Sequence, residues 1–504
     1  MEYLKNIFLY NQDSPLYFTR LYFWIFLLVV LLFYSFLYKK NALRNTYLFI
    51  ISLFFYYKSG GFFFFLLIFS TIVDYSLGLL IYSSNNNKKR KFYLIISILT
   101  NLGLLSYYKY AYFYTEIINN IFNTNLHTVD LLAQLSNSIA GSNFNISEII
   151  LPVGISFFTF QTISYTVDVY RHKTMPLRSI IDFGFYVSFF PQLVAGPIVR
   201  ASEFVPQLLN KYKLTKEEFG QALFLILQGL VKKIVISDYI SINFVDRVFE
   251  SPLSYTGLEN LFGLYGYSLQ IYCDFSGYTD IAIGVALLLG FRLPLNFNSP
   301  YKARNLTDFW HRWHISLSSW LRDYLYIPLG GNRKGKFRTN INLLITMLLG
   351  GLWHGANIRF IIWGGIHGVG LIIQKVIKSI IPLKYSDNNF MRILGLIITF
   401  HLVTFAWLFF RAKDMQTVSY MLTQIFSRFQ IAILPEFITG YFKIFALLLT
   451  GYIIHWLPSS FKENYRGWFI QLPVVIKILI FIISIVIIYN FKICELQPFI
   501  YFQF

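Results

Sequence analysis

Charge is what this sequence has least of. Only 13% of its 504 residues are Asp, Glu, Lys or Arg, against 56% hydrophobic and 20% aromatic residues. A soluble domain carries about 25% charged residues, and a mean hydropathy of +0.54 excludes a water-exposed globular surface. The chain is read as an all-α polytopic membrane protein. Acidic residues are the scarcer sign, 24 Asp+Glu against 43 Lys+Arg, for a net charge of +19. In a soluble protein that balance would suit nucleic acid; the apolar runs exclude nucleic acid here. Cysteine is almost absent. Cys273 and Cys494 lie in apolar surroundings without metal-ligand spacing, which argues against a disulfide framework or a zinc site. No small-residue cleavage pattern follows the first apolar run, 21–38, so it is read as a retained span rather than a signal peptide. Internal repeats and a linker to a soluble domain are missing too. Residues 1–504 therefore read as one integral membrane domain, with a catalytic core over 150–375.

Apolar length and basic loops give a topology. The 21–38 run is followed by Lys39, Lys40 and Arg44, which places that loop inside and the N-terminus outside. Segment 46–57 returns outward, and 62–82 comes back to the basic run 88–91. Segment 92–114 leads out to a polar stretch, 115–147, which bears Glu116 and Asp130 but no Lys or Arg. Segment 149–169 re-enters and reaches Arg171, Lys173 and Arg178. The three basic loops thus share the cytoplasmic side. Beyond residue 180 the pattern breaks up. Pro191, Gly196 and Pro197 interrupt one run, Lys232 and Lys233 another, and 261–291 contains Asp274 and Asp280. Such residues are tolerated at membrane depth where they line a protein cavity. Roughly eleven to thirteen crossings or partial crossings are expected at about 20 residues each.

One stretch stands out, from Asp308 to Gly368. It opens Asp308-Phe-Trp-His-Arg-Trp-His314, passes a basic glycine turn over 330–336, and reaches Leu352-Trp-His354-Gly-Ala-Asn357 inside an apolar run. An imidazole there loses its hydration and is tolerated mainly beside a protein-lined or wet cavity. The plainer reading of His354 is a ring hydrogen-bonded to a neighbouring carbonyl. The functional one is a general base: a neutral imidazole accepts a hydroxyl proton, as acyl transfer to an alcohol requires. Gly355 removes bulk beside the ring, so Trp353 and Gly355 are expected to frame a ligand channel, with Asn357 an oxyanion-donor candidate. His311 and His314, at i and i+3, share a face of an amphipathic interfacial helix rich in Trp. His314 is read as functional, while His311 is as readily an incidental member of a membrane anchor. A zinc site from His311, His314 and His354 is disfavoured because no carboxylate or cysteine sits at ligand spacing. Asp274 and Asp280 either pair with Lys or Arg and hold the cavity's shape, the favoured role, or touch substrate. Asp274 is kept as a substrate-side candidate.

Several long motifs occur in one order: Pro191-Gln-Leu-Val-Ala-Gly-Pro197, Cys273-Asp-Phe-Ser-Gly-Tyr-Thr-Asp280, Asn296-Phe-Asn-Ser-Pro-Tyr301, Phe309-Trp-His-Arg-Trp-His314, Arg322-Asp-Tyr-Leu-Tyr-Ile-Pro-Leu-Gly-Gly-Asn332 and Gly351-Leu-Trp-His-Gly-Ala356. On these the sequence resembles the membrane-bound O-acyltransferase family, above all its bacterial polysaccharide-acetylating branch. The resemblance implies a ring of tilted helices around a central tunnel, with His354 as the family's essential histidine and His314 as a second conserved polar position. The family often has Arg where this chain has His311, so His311 is left outside the catalytic set. It also implies no tightly bound cofactor. An acyl thioester, acetyl-coenzyme A or an acyl carrier protein, would be the cytoplasmic co-substrate. An extracytoplasmic serine-esterase-like partner would receive the acyl group for an extracellular polysaccharide, from a multi-pass protein of the cell membrane.

Two alternatives accompany that expectation. One is D-alanyl transfer to teichoic acid from a carrier protein. The other, from a different class, is a polysaccharide or lipid transporter. Transporters commonly carry inverted repeats, and no second copy of the histidine or Asp274 motifs is present.

Overall fold

The computed structural model describes residues 8–11, 15–140, 145–193, 196–380, 388–490, 497 and 499–500. Every regular element among them is helical. Val194 and Ala195 of the 191–197 motif, Cys494, and the terminal 501–504 lie outside the described residues.

Among the described residues, five helical stretches are long and apolar enough to cross a bilayer: Asn41–Ser83, Lys216–Glu250, Gly257–Leu288, Ile358–Ile380 and Asn389–Arg411. Counting each of two sharply bent helix pairs as one span gives up to seven, and Leu21–Leu37 is a shorter apolar helix. The eleven to thirteen crossings expected from sequence include partial ones; among the other described helices, Asn87–Phe122 runs 36 residues and Gly335–His354 runs 20. Hydrogen bonds show that the Asn41–Ser83 stretch doubles back. Asn45 donates to Asp182 at 2.8 Å, and Tyr75 donates to the Arg178 carbonyl at 2.6 Å. Both ends of the stretch therefore meet one short segment, and the reversal falls at Gly61, whose φ of +65° suits a residue without Cβ.

Gly257–Leu288 is the central post, with 89% of its apolar window buried inside the protein. A capping box starts it: Thr256 accepts from the Glu259 amide while the Glu259 side chain accepts from Thr256. It packs closely on the helix before it. A methyl on Gly277 would stand 2.8 Å from the Gly229 carbonyl oxygen, so small residues set the approach. The charges that interrupt these runs face one another. Lys232 pairs with Asp280 at 2.7 Å, and Lys233 pairs with Asp238 at 2.7 Å and with Asp274. Buried ions are tolerated in such company, and removing one member costs about 3–5 kcal/mol.

The basic loops gather at one end. Arg90 donates to the Tyr170 carbonyl at 2.6 Å, Arg171 to the Asp323 carbonyl at 3.2 Å, and Arg200 pairs with the Asp323 carboxylate at 2.7 Å. Burial raises the pKa of Asp323, but hydrogen bonds from Arg322 and Arg200 outweigh it and hold the carboxyl below its ordinary value. The opposite end joins Tyr56 to the Val153 carbonyl at 2.7 Å and Tyr107 to Asp130 at 2.8 Å.

Candidate active site

Helix Gly335–His354 starts beside the basic glycine turn and ends at His354 itself. Its 20 residues span about 30 Å at 1.5 Å each, so His354 stands far from that turn. The chain reverses through 355–357 into Ile358–Ile380. Two glycines let the antiparallel helices touch: a methyl on Gly351 would lie 3.2 Å from the Cα of Gly364. Asn357 starts the second helix. Its side-chain oxygen accepts from the Arg359 amide at 3.1 Å, an N-cap bond, and its own amide donates to the Gly355 carbonyl at 2.9 Å. Asn357 thus has a structural task at the turn.

A helix that ends inside a membrane leaves carbonyls to be satisfied. Here the 87–122 helix supplies the donors. Lys109 Nζ donates to the His354 carbonyl at 2.9 Å, and Tyr110 Oη donates to the Leu352 carbonyl at 2.9 Å. Lys109 also lies 5.8 Å from the Trp353 ring centroid, a cation–π approach. A cation at a helix C-terminus is favoured by the helix dipole.

The His354 ring is enclosed by aromatic rings, with centroids 4.9 Å from Trp353, 5.0 Å from Trp363 and 5.2 Å from Phe410. His314 reaches the same indole, 6.2 Å from Trp353, and stands edge-on to Phe275 at 4.7 Å. His314 is fully buried and His354 is 2% exposed. Sequence reading named both, and the structure brings both to Trp353. His314 Nδ1 lies 3.2 Å from Asn296 Oδ1, which also accepts from the Ser316 amide and hydroxyl. An amide oxygen only accepts, so Nδ1 carries the proton, and in the neutral ring Nε2 holds the lone pair. The Asn296 motif thereby orients the ring of the His314 motif.

Other expected residues fall elsewhere. His311 is exposed. Asp274 is engaged by Lys233 and by the Ile500 amide at 3.0 Å, so its carboxylate serves the ion cluster. Gly355 was expected to open room for a ligand. Phe360 fills that room: a Cβ on Gly355 would overlap its ring.

Sequence reading passed over Lys109 and His367. Lys109 is a lone cation in the apolar 92–114 run, and that oddity was the available signal. His367 is fully buried, and neither of its ring nitrogens has a hydrogen-bond partner among the described residues. It lies 4.8 Å from Trp363, the ring that also faces His354. The Trp363 and His367 spacing, i and i+4 on one helix face, was legible as a pair.

Comparison with known proteins bears on the same region. The profile of MBOAT, the membrane-bound O-acyltransferase family, matches residues 175–423, which hold His314, Trp353, His354 and His367. A probable alginate O-acetylase of Pseudomonas aeruginosa is 42% identical over 341 residues, 66% of this chain and 60% of the relative. The peptidoglycan O-acetyltransferase of Helicobacter pylori is 36% identical over 428 residues, 79% of this chain and 77% of the relative. The teichoic acid D-alanyltransferase of Bacillus subtilis is 33% identical over 279 residues, 52% of this chain and 69% of the relative. The chain spans about 60% of the length of the alginate O-acetylases it matches.

Proposed function

Because the chain belongs to the membrane-bound O-acyltransferase family, we propose that it transfers an acyl group, acetyl in the first instance, from a cytoplasmic thioester towards an extracellular polysaccharide. His354 is the general base. The acceptor O–H gives its proton to the imidazole as its oxygen attacks the acyl carbon. The tetrahedral oxyanion collapses, and the thiolate leaves and takes up a proton. The donor is acetyl-coenzyme A or an acyl carrier protein, and the protein resides in the cytoplasmic membrane. A serine-esterase-like extracytoplasmic partner completes delivery to the polymer. The observation that carries this reading is the pair of buried histidines whose rings both lie against Trp353, with His354 at the end of a glycine-packed hairpin. His314, oriented by Asn296, supports the reaction next to the base.

The test uses purified protein in nanodiscs with acetyl-coenzyme A and with acetyl- and D-alanyl-loaded carrier protein. His354→Ala should insert and accumulate like the parent but lose about 10²–10⁴-fold in thioester turnover. His311→Ala should keep most activity. Near-parent turnover in His354→Ala ends the mechanism. Turnover of the D-alanyl carrier alone would select the second reading, which the Bacillus subtilis relative favours.

A further inference from the structure

Two lysines stand where the 296–301 motif meets the bend between helices Phe442–Trp456 and Ser459–Gln471. Lys462 Nζ donates to Ser299 Oγ at 3.1 Å and to the His455 carbonyl at 2.8 Å, and Lys302 Nζ donates to the Leu457 carbonyl. These acceptors are neutral, so they fix both ammonium groups in place without balancing either charge. The neighbouring carboxylates are taken: Lys232 holds Asp280 at 2.7 Å, and Arg312 holds Asp308 at 2.7 Å. Each ammonium has three N–H donors. Against the partners among the described residues, one stays over on Lys462 and two on Lys302.

Other donors gather at the same bend. His455 Nε2 accepts from the Tyr301 amide at 3.1 Å, so in the neutral ring Nδ1 carries the hydrogen. His455 is 2% exposed, and its Nδ1 has no partner among the described residues. The ring lies in the field of Lys462, Lys232 and Lys302. Helix Ser459–Gln471 begins here without a side-chain cap, because Pro458 holds the N-cap position. Ser459 and Ser460, both exposed, open its first turn. A helix N-terminus favours anions, phosphate among them. Two unbalanced cations, a buried imidazole N–H and uncapped amides call for one kind of ligand, an anion with several acceptor oxygens.

The side chains flanking the bend are apolar and exposed: Ile454, Trp456 and Phe461. Helix Ser459–Gln471 stands at 113° to the apolar Val474–Tyr489 helix, which lays it along the bilayer surface when the latter crosses. Exposed aromatic rings next to lysine suit the headgroup level of a membrane. A water-soluble anion gains nothing from such neighbours, whereas acyl chains do. We propose that this bend binds the phosphate of an anionic glycerophospholipid, with Lys302 and Lys462 on its oxygens and the acyl chains along Ile454, Trp456 and Phe461. One motif links the site to the histidines. Asn296 Oδ1 lies 3.2 Å from His314 Nδ1, while Ser299 and Tyr301 are tied to Lys462 and His455. A bound headgroup would steady the loop that orients His314.

Native mass spectrometry of the full chain in neutral detergent tests it, with dioleoylphosphatidylglycerol, dioleoylphosphatidylcholine and coenzyme A as probes. Phosphatidylglycerol should bind saturably, and phosphatidylcholine roughly tenfold more weakly, since its choline cancels the phosphate charge. A lysine near an anionic headgroup is worth about 1 kcal/mol. Lys302→Gln or Lys462→Gln should therefore weaken phosphatidylglycerol about fivefold, and the two together about thirtyfold. Should the double variant misfold, the single ones carry the test, and Lys462→Arg, which keeps the charge, should bind like the parent. Lys334→Gln with Lys336→Gln, in the exposed basic turn, should leave binding unchanged. His354→Ala should also bind like the parent, because the site does not depend on the acyltransferase reading. No saturable phosphatidylglycerol, equal retention of the two lipids, or equal loss from the Lys334 and Lys336 substitutions would overturn the proposal. So would displacement of the lipid by coenzyme A, which would give the site to a soluble phosphate.

Discussion

His314 holds a left-handed backbone, φ 42° and ψ 56°, directly before the Ile315–Leu321 helix. A non-glycine residue there costs of order 1–3 kcal/mol and persists where the surroundings over-determine it. The Asn296 contact and the rings of Phe275 and Trp353 do so here. Strain and chemistry can be separated by two substitutions. Asn visits the left-handed region readily whereas a β-branched residue does not. His314→Asn should therefore melt close to the parent yet lose thioester turnover, and His314→Val should also lower stability by about 1–3 kcal/mol. Detergent thermal melts beside turnover assays read both, and full activity in His314→Asn would leave the ring a packing residue. A second contrast concerns glycine. Gly355→Ala drives a methyl into Phe360, and overpacking of that kind costs about 1–3 kcal/mol. Gly350→Ala meets only the end of the Leu321 side chain, at 3.2 Å, and should melt within about 1 kcal/mol of the parent. Equal melts for the two would remove the packing role of Gly355. Sequence alone showed a glycine beside a histidine, and either meaning fits that pattern.

At the scale of elements, the 335–354 helix and the turn after it were legible, because an apolar run ending in Trp-His-Gly is unusual. The partner that satisfies the helix end was not. Lys109 sits 245 positions away from His354 in the chain, and a single lysine in an apolar span also suits a side chain reaching for the interface. The same holds for Asp274 and Lys233, 41 positions apart. Charge at membrane depth signals that a partner exists without saying which. Lys109→Met should leave the His354 carbonyl unsatisfied at a cost of about 1–3 kcal/mol. The expected outcome is a lower melting temperature and reduced turnover, with both largely restored by Lys109→Arg, which keeps a donor and a cation. Unchanged melting and turnover in Lys109→Met would show that the helix end finds another donor.

Across the whole molecule, the class was readable because it depends on a sum, too little charge for a soluble surface, and so was the gathering of the basic loops at one end, because they are spaced two apolar runs apart. The central arrangement depends on contacts between distant helices and was not readable. The structure gathers Asn45, Tyr75, Arg90, Arg171 and Arg200 at one end through hydrogen bonds to 170–182 and 323. It carries Tyr107 and Asp130 to the other. Lysines and arginines in short loops stay on the cytoplasmic side during insertion. The first end should therefore face the cytoplasm, and with it the start of the Gly335–His354 helix, where a thioester donor would arrive. His354, at the other end of that helix, then stands towards the outer half. Single cysteines at Asn85 and Ser138, on a background with the native cysteines replaced, should report this directly. A membrane-impermeant maleimide applied to intact cells should label Ser138→Cys, and label Asn85→Cys only after the membrane is opened. The reverse pattern would turn the protein over, and the direction of acyl transfer with it.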